Sequence, residues 1–377
     1  MERIRRRITD ILPGSTGAWV MVLVTIFLEL CLIFLLLALD VLPGLYLGIA
    51  AVVMGGIDVL ILFLFSGKKK KKGKQIAAWI VSGIMLVVMG AGIFYLYNTL
   101  DTLSKISGGG SSDYDGEPFN LLVSGIDSRE DISDDFARSD VNMIVTVNPQ
   151  TKTILLTSMP RDSYVPLHMN GEMDKLTHTG VYGIDETINT IQDWLNVKID
   201  YYARVDFNMF VNLVDAVGGV RVYNDQDFYS HPKGWHYTKG WHNMEGRYAL
   251  WFVRERKSFE DKDEKRIRNQ QKVVKALIKK ITSSKTLMMN YTDILGAVEA
   301  NMETDMSRSE ISGLARMQIA DMSPWTIKQQ CVDGEDAEMG TWSMGPNRPL
   351  FVSIPDEESV KKVTTTINRT LNPGEED

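Results

Sequence analysis

Residues 138–162 read RSDVNMIVTVNPQTKTILLTSMPRD. Within them Val141–Asn148 and Thr153–Ser158 are apolar, β-rich runs, and Asn148-Pro149-Gln150 supplies the turn between them. The pair predicts two neighbouring strands. A third such run, Phe119–Gly125, starts just after Pro118. Downstream, Ile184–Leu195 has helical spacing with Asp185 and Glu186 in its first turn. Tyr201–Val205 predicts a strand and Phe207–Ala216 a helix, which Gly218-Gly219 stops. Val220–Tyr223 and Ala249–Val253 predict further strands, and Gln270–Thr282 an amphipathic helix. The remainder, to about Leu371, predicts more helices and the strand Leu350–Ile354. Strands alternating with helices predict an α/β fold, a central sheet with helices on both faces.

Outward from this region the composition changes. The chain has 377 residues and a net charge of −7, but its first hundred residues are unlike the rest. Residues 18–39, 45–65 and 76–97 are three apolar runs, each near the ~20 residues a helix needs to cross a bilayer. Arg3, Arg5, Arg6 and Arg7 precede the first, and Lys68–Lys72 with Lys74 separate the second from the third. Basic segments stay in the cytoplasm. The expected order is therefore a cytoplasmic N-terminus (1–17), spans at 18–39 and 45–65, a basic cytoplasmic loop (66–75), and a span at 76–97. A Gly- and Ser-rich linker (98–117) then leads to an outer domain (118–372). Glu29 and Asp58 fall inside the first two spans, at similar depth. Protonation with hydrogen bonding within the hairpin, or pairing with another subunit, is the preferred reading of them over a functional one. Cys31 and Cys331 are too far apart for a disulfide. His231, His236 and His242 lack zinc-site spacing.

Three short motifs fall at predicted strand ends: GIDSR at 125–129, RSD at 138–140 and PRD at 160–162. Loops at strand ends are where α/β folds gather ligands. Asp127 and Asp140 are the candidate metal ligands, because magnesium binds through one or two carboxylates and completes its shell with water and phosphate. A fourth stretch, ALWFVRERKSFEDKDEKRIRNQQ at 249–271, carries Arg254, Arg256, Arg266 and Arg268 among acids. If Ala249–Val253 is a strand, Arg254 and Arg256 leave it on one face. Together with Arg138, Arg161 and Arg266 they would neutralise a pyrophosphate. Taken alone, the stretch fits an anion clamp or a surface ion network equally well. An arginine site in an acidic outer domain implies local recognition of an anion and argues against nucleic acid.

In order, these motifs are joined by Lys175 with His178, Tyr201 with Arg204 and Phe207, Gly218 to Val220, Gly246 with Ala249, Val253 to Arg256, and Arg266 with Gln270 and Gln271. The ordered set, from about Phe119 to Ile281, resembles the LytR–CpsA–Psr family, in its three-span membrane-anchored form. The resemblance implies a central mixed sheet between helices and an apolar cleft for a polyprenyl chain. It implies a magnesium-dependent phosphotransferase (manganese could replace the magnesium) in the cell membrane of a Gram-positive bacterium, multi-pass, with its catalytic domain outside. The implied reaction moves a glycopolymer, of teichoic acid or capsular polysaccharide type, from polyprenyl pyrophosphate to peptidoglycan. Asp127 and Asp140 would hold the metal. Arg138, Arg161, Arg254, Arg256, Arg266 and Gln270 would hold the pyrophosphate. Asp263 would be the base, although the acids crowded around it depart from the glycine-rich loop common in the family. Two alternatives are a pyrophosphatase acting on the same glycolipid and a non-catalytic glycolipid-binding or regulatory membrane protein. Which glycopolymer is used, and the oligomeric state, are not legible.

Overall fold

The computed structural model describes residues 15–66, 72–108, 114–126, 138–260, 262–283, 286, 290–299 and 302–374. Arg3 to Arg7, Lys68 to Lys71, the centre of the Gly-rich linker and Asp127 to Arg129 lie outside the described residues.

The chain divides into two compact units, Met1–Ser104 with Ala315–Ala320, and Lys105–Leu314 with Asp321–Asp377. The first contains α1 (Thr16–Leu39), α2 (Gly44–Phe65) and most of α3 (Lys72–Ile106). All three are long and apolar enough to cross a membrane. Ser15 starts α1 by accepting a hydrogen bond from the Ala18 amide, and Asp40 ends it in the left-handed conformation. Val22, Ile61, Phe65 and Ala78 pack the helices together. Glu29 is buried with its carboxyl facing that of Asp58.

The second unit is built on six strands of a mixed sheet. They are β1 (Phe119–Ile126), β2 (Ser139–Asn148), β3 (Thr153–Met159), β6 (Tyr201–Asp206), β11 (Met302–Thr304) and β12 (Thr326–Cys331), ordered β11-β6-β1-β2-β3-β12. Between β3 and β6 lie β4 (Tyr164–Pro166), β5 (Met173–Lys175), α4 (Leu176–Thr179) and α5 (Ile184–Leu195). After β6 come α6 (Phe207–Ala216), β7 (Val220–Asn224), β8 (Phe228–Tyr229), β9 (His236–Tyr237), β10 (Gly240–Met244), α7 (Gly246–Arg254), α8 (Lys262–Ile281) and α9 (Tyr291–Glu299). The chain closes with α10 (Arg308–Ala320), the hairpin β13 (Gly334–Thr341) and β14 (Gly345–Pro355), and α11 (Glu357–Leu371). β1 runs parallel to β6 and antiparallel to β2, and β3 runs antiparallel to β2 and parallel to β12.

Alternation along the strands explains the layers, since successive side chains point to opposite faces. Ile144 and Leu155 join a core with Ile191 and Leu195 of α5 and Val363 and Ile367 of α11. Their neighbours Met143, Val145, Ile154 and Leu156 face the other way, against Val274 and Ile278 of α8. Each fully buried Leu or Ile contributes roughly 1.5–3 kcal/mol. A third cluster joins α6, α7 and α8 to the ribbon of β7 and β10, through Val214, Val222, Phe252 and Val273.

One sequence expectation is overturned. Ala249–Val253 is not a strand but part of helix α7. Its buried residues, Gly246, Ala249, Phe252 and Val253, recur at helical spacing. A short apolar run does not distinguish a strand from a buried helix, and packing on α6 decides. Gly246 permits that packing, because a Cβ there would lie 2.2 Å from the Val211 carbonyl oxygen.

Candidate functional site

At one end of the sheet, the start of β2, the exit of β3, the start of α6, the end of α7 and one face of α8 enclose a cavity of about 290 Å³. Its wall is largely apolar, with Val123, Met143, Phe207, Phe210, Leu250 and Val274 among its residues. Four arginines, Arg161, Arg254, Arg256 and Arg266, and two aspartates, Asp140 and Asp206, supply its charge. Asp206 is occupied as the cap of α6, accepting from the Met209 amide at 2.7 Å. A second, polar chamber of about 580 Å³ shares Asp140 and Arg161 with the first and adds Arg138, Asp162, Lys175, Thr177 and His178.

Local structure sets each group. Arg266, Gln270 and Val274 follow one another at i, i+4 and i+8 along α8, so one helix face lines the apolar chamber. Arg268 lies off that face and pairs with Glu264 at 3.0 Å. Arg254 ends α7 and stacks its guanidinium over Phe207, 4.2 Å from the ring centre. Arg254 and Arg256 therefore converge through a helix end and the loop after it, not through strand alternation.

The shared wall is an ion-pair chain. Arg161 donates to Asp140 at 2.8 Å and to Asp162 at 3.3 Å, and Lys175 donates to Asp162 at 2.9 Å. Burial alone would lower the pKa of Arg161, but Asp162, Asp140 and Asp263 raise it above its ordinary value. Burial would raise the carboxyl of Asp162, yet Lys175 and Arg161 hold it below the usual carboxylate range. The second oxygen of Asp140 has no hydrogen-bond partner among the described residues.

Arg266 is the least comfortable group. Burial lowers its pKa; Asp263 opposes this, while Arg161 and Arg256 add to the lowering. Its Nε is buried without a hydrogen-bond partner among the described residues. Asp263 lines neither chamber. Its Oδ1 lies 3.4 Å from Arg266 and 3.8 Å from Arg256. Such a cluster of guanidiniums with an unmet buried donor is suited to a multivalent anion.

Of the residues singled out in the sequence, Asp140, Arg161, Arg254, Arg256, Arg266 and Gln270 come together around the apolar chamber. Arg138 lies on the polar chamber alone, Asp263 stands behind the arginines, and Asp127 is outside the described residues. Sequence reasoning placed Asp162 in the PRD motif without a role, missed Asp174 altogether and gave no role to Lys175, Thr177 or His178. The KLTH run at 175–178 had only its place in the motif series as a signal.

An apolar cavity rimmed with arginines at the end of a mixed α/β sheet defines a protein suited to an anion with an apolar tail. The chain belongs to the LytR_cpsA_psr family, whose model matches residues 96–368. It is 31% identical over 284 residues to the Bacillus anthracis protein named polyisoprenyl-teichoic acid–peptidoglycan teichoic acid transferase TagU, covering 71% of this chain and 91% of that one. An Enterococcus faecalis protein of the same name is 33% identical over 256 residues, covering 65% and 83%. Among solved structures, Bacillus subtilis TagV is similar with a TM-score of 0.57 and 28% identity, over 69% of this chain and 99% of that one. TagT bound to LIIa-WTA is similar with a TM-score of 0.55 and 28% identity, over 70% and 94%.

Proposed function

We propose that this protein is a membrane-anchored phosphotransferase that moves a glycopolymer of teichoic acid or capsular type from polyprenyl pyrophosphate to peptidoglycan. The observation that carries this reading is the joining of an apolar chamber to a polar one at Asp140 and Arg161, with Arg254, Arg256 and Arg266 on the apolar side. A polyprenyl chain suits the first chamber and the sugars of donor and acceptor the second, which puts the pyrophosphate between the lipid and the sugars. The relatives named as teichoic acid transferases support the transfer reading. The three apolar helices suit an anchor, and the basic segments around them favour an outward-facing second unit.

In the proposed reaction, Arg161, Arg254, Arg256, Arg266 and Gln270 grip the pyrophosphate and meet the charge that develops on it. Phosphoryl transfer needs positioning and charge neutralisation more than covalent help from the protein. The C6 hydroxyl of N-acetylmuramic acid attacks the sugar-linked phosphorus, and polyprenyl phosphate leaves. Asp140 fits a magnesium ligand, with one oxygen turned to Arg161 and the other without a partner among the described residues, and Asp127 is its proposed companion. A bound magnesium, or manganese in its place, would neutralise phosphate charge.

The test incubates the full-length protein with polyprenyl-pyrophosphate glycan, with and without peptidoglycan oligomers, in magnesium or in chelator. Peptidoglycan-linked glycan is the expected product, made in magnesium and lost in chelator. Release of glycan phosphate with no linked product would identify a pyrophosphatase. No turnover would leave a binding protein.

A further inference from the structure

The polar chamber contains groups that the grip on the pyrophosphate does not use. His178, in the short helix α4, is buried in its wall. Its Nδ1 lies 2.6 Å from Asp174 Oδ1 and 2.9 Å from Ser343 Oγ, and these hydrogen bonds among the described residues both fall on Nδ1. Asp174 is fully buried and accepts, in addition, the backbone amides of Lys175 at 2.7 Å and Ser343 at 2.9 Å. Burial pushes the Asp174 carboxyl up, but His178, Ser343 and these amides hold it below the usual carboxylate range. A buried carboxylate that stays charged takes its hydrogen bond from Nδ1–H. The lone pair of the neutral ring is then on Nε2. Beside it, Thr177 Oγ1 is buried with no partner among the described residues.

The position also matters. From Lys175, three residues before His178, the chain of ion pairs runs through Asp162 and Arg161 to Asp140 at the junction of the chambers. Asp263, by contrast, stands at ion-pair distance from two arginines, its Oδ1 making no hydrogen bond among the described residues, and lines neither chamber.

We infer that His178, oriented by Asp174, is the base that takes the proton of the acceptor hydroxyl, and that the wall formed by Lys175, Thr177 and His178 receives the acceptor sugar. The inference rests on the glycopolymer-transfer reading above. In the step, the acceptor oxygen bonds to the sugar-linked phosphorus. The bond from that phosphorus to the oxygen of polyprenyl phosphate breaks, and its electron pair departs with polyprenyl phosphate. The hydroxyl proton passes to Nε2. Asp174 stays ionised and stabilises the imidazolium, which then releases the proton to solvent.

The test uses full-length protein with polyprenyl-pyrophosphate glycan and peptidoglycan oligomers, comparing wild type with His178→Ala and His178→Gln. Donor binding is measured first and is expected to be unchanged, which also shows that the variants are folded. Transfer is expected to fall on the order of a hundredfold or more in kcat. Added imidazole should restore part of it in His178→Ala, where the ring has left space, and none in His178→Gln. Full transfer by His178→Gln overturns the assignment, as does a loss of transfer in His178→Ala that imidazole does not rescue. Loss of donor binding in both variants makes His178 a structural residue and overturns it equally. If wild type binds donor but forms no linked product, the transfer reading itself fails and takes this inference with it. Wild-type transfer alongside an unaffected His178→Gln sinks the inference alone.

Discussion

Arg266 shows how a single residue stores the demand for a ligand. It is buried, its neighbours include two further arginines, and its Nε–H meets no acceptor among the described residues. A buried donor left unmet costs roughly 1–3 kcal/mol, a cost that a bound pyrophosphate oxygen would relieve. Replacing Arg266 with Ala is expected to weaken binding of the lipid pyrophosphate and to cost about 3 kcal/mol in transfer, on the order of a hundredfold. Binding and single-turnover transfer measured on one preparation check this, and wild-type behaviour in both would remove Arg266 from the site. The identity of this residue was legible through its place in the ordered motif series, before Gln270 and Gln271. Its partner was legible only in part. Asp263, which the resemblance makes a base, has its Oδ1 3.4 Å from that arginine.

At the scale of elements, α7 and α8 bring the arginines to the sheet. On α8 the sequence predicts a helix over Gln270–Thr282, whereas the structure starts it at Lys262 and so places Arg266 on one face with Gln270 and Val274. On α7 sequence and structure do not agree, because AlaLeuTrpPheVal suits either a strand or a buried helix. What selects the helix is its contact with α6, where Gly246 meets Val211 and donates its amide to Asp215 at 2.7 Å. Gly246→Ala would push a methyl group against a backbone carbonyl. It is expected to lower stability by about 1–3 kcal/mol and to weaken donor binding, since Arg254 moves with the helix. Thermal unfolding with a donor-binding titration tests this; an unchanged melting temperature would mean that α7 does not depend on that close approach.

For the whole molecule, the arrangement of charge and hydropathy makes a statement about sidedness. Basic residues precede α1 and separate α2 from α3, which favours a second unit outside the cell. In a protein with Cys31 and Cys331 replaced, a cysteine at Asp336, an exposed position of β13, is expected to react with a membrane-impermeant maleimide in intact cells. A cysteine at Lys72 should react only after permeabilisation. The reverse pattern would invert the topology and remove the donor from reach.

The sequence by itself determined the three apolar helices, the strands from Phe119 to Ser158 and the family motifs. Hydropathy, residue periodicity and short spacing are local properties, present before the chain folds. Only the tertiary structure decided that residues 246–254 form a helix, that Arg161 joins Asp140 to Asp162, and that Ser343 and Asp174 close on His178. Ser343 and His178 are 165 residues apart in the chain. Contacts of that range depend on how the sheet, the helices and the β13–β14 hairpin pack together, which no local pattern of residues encodes.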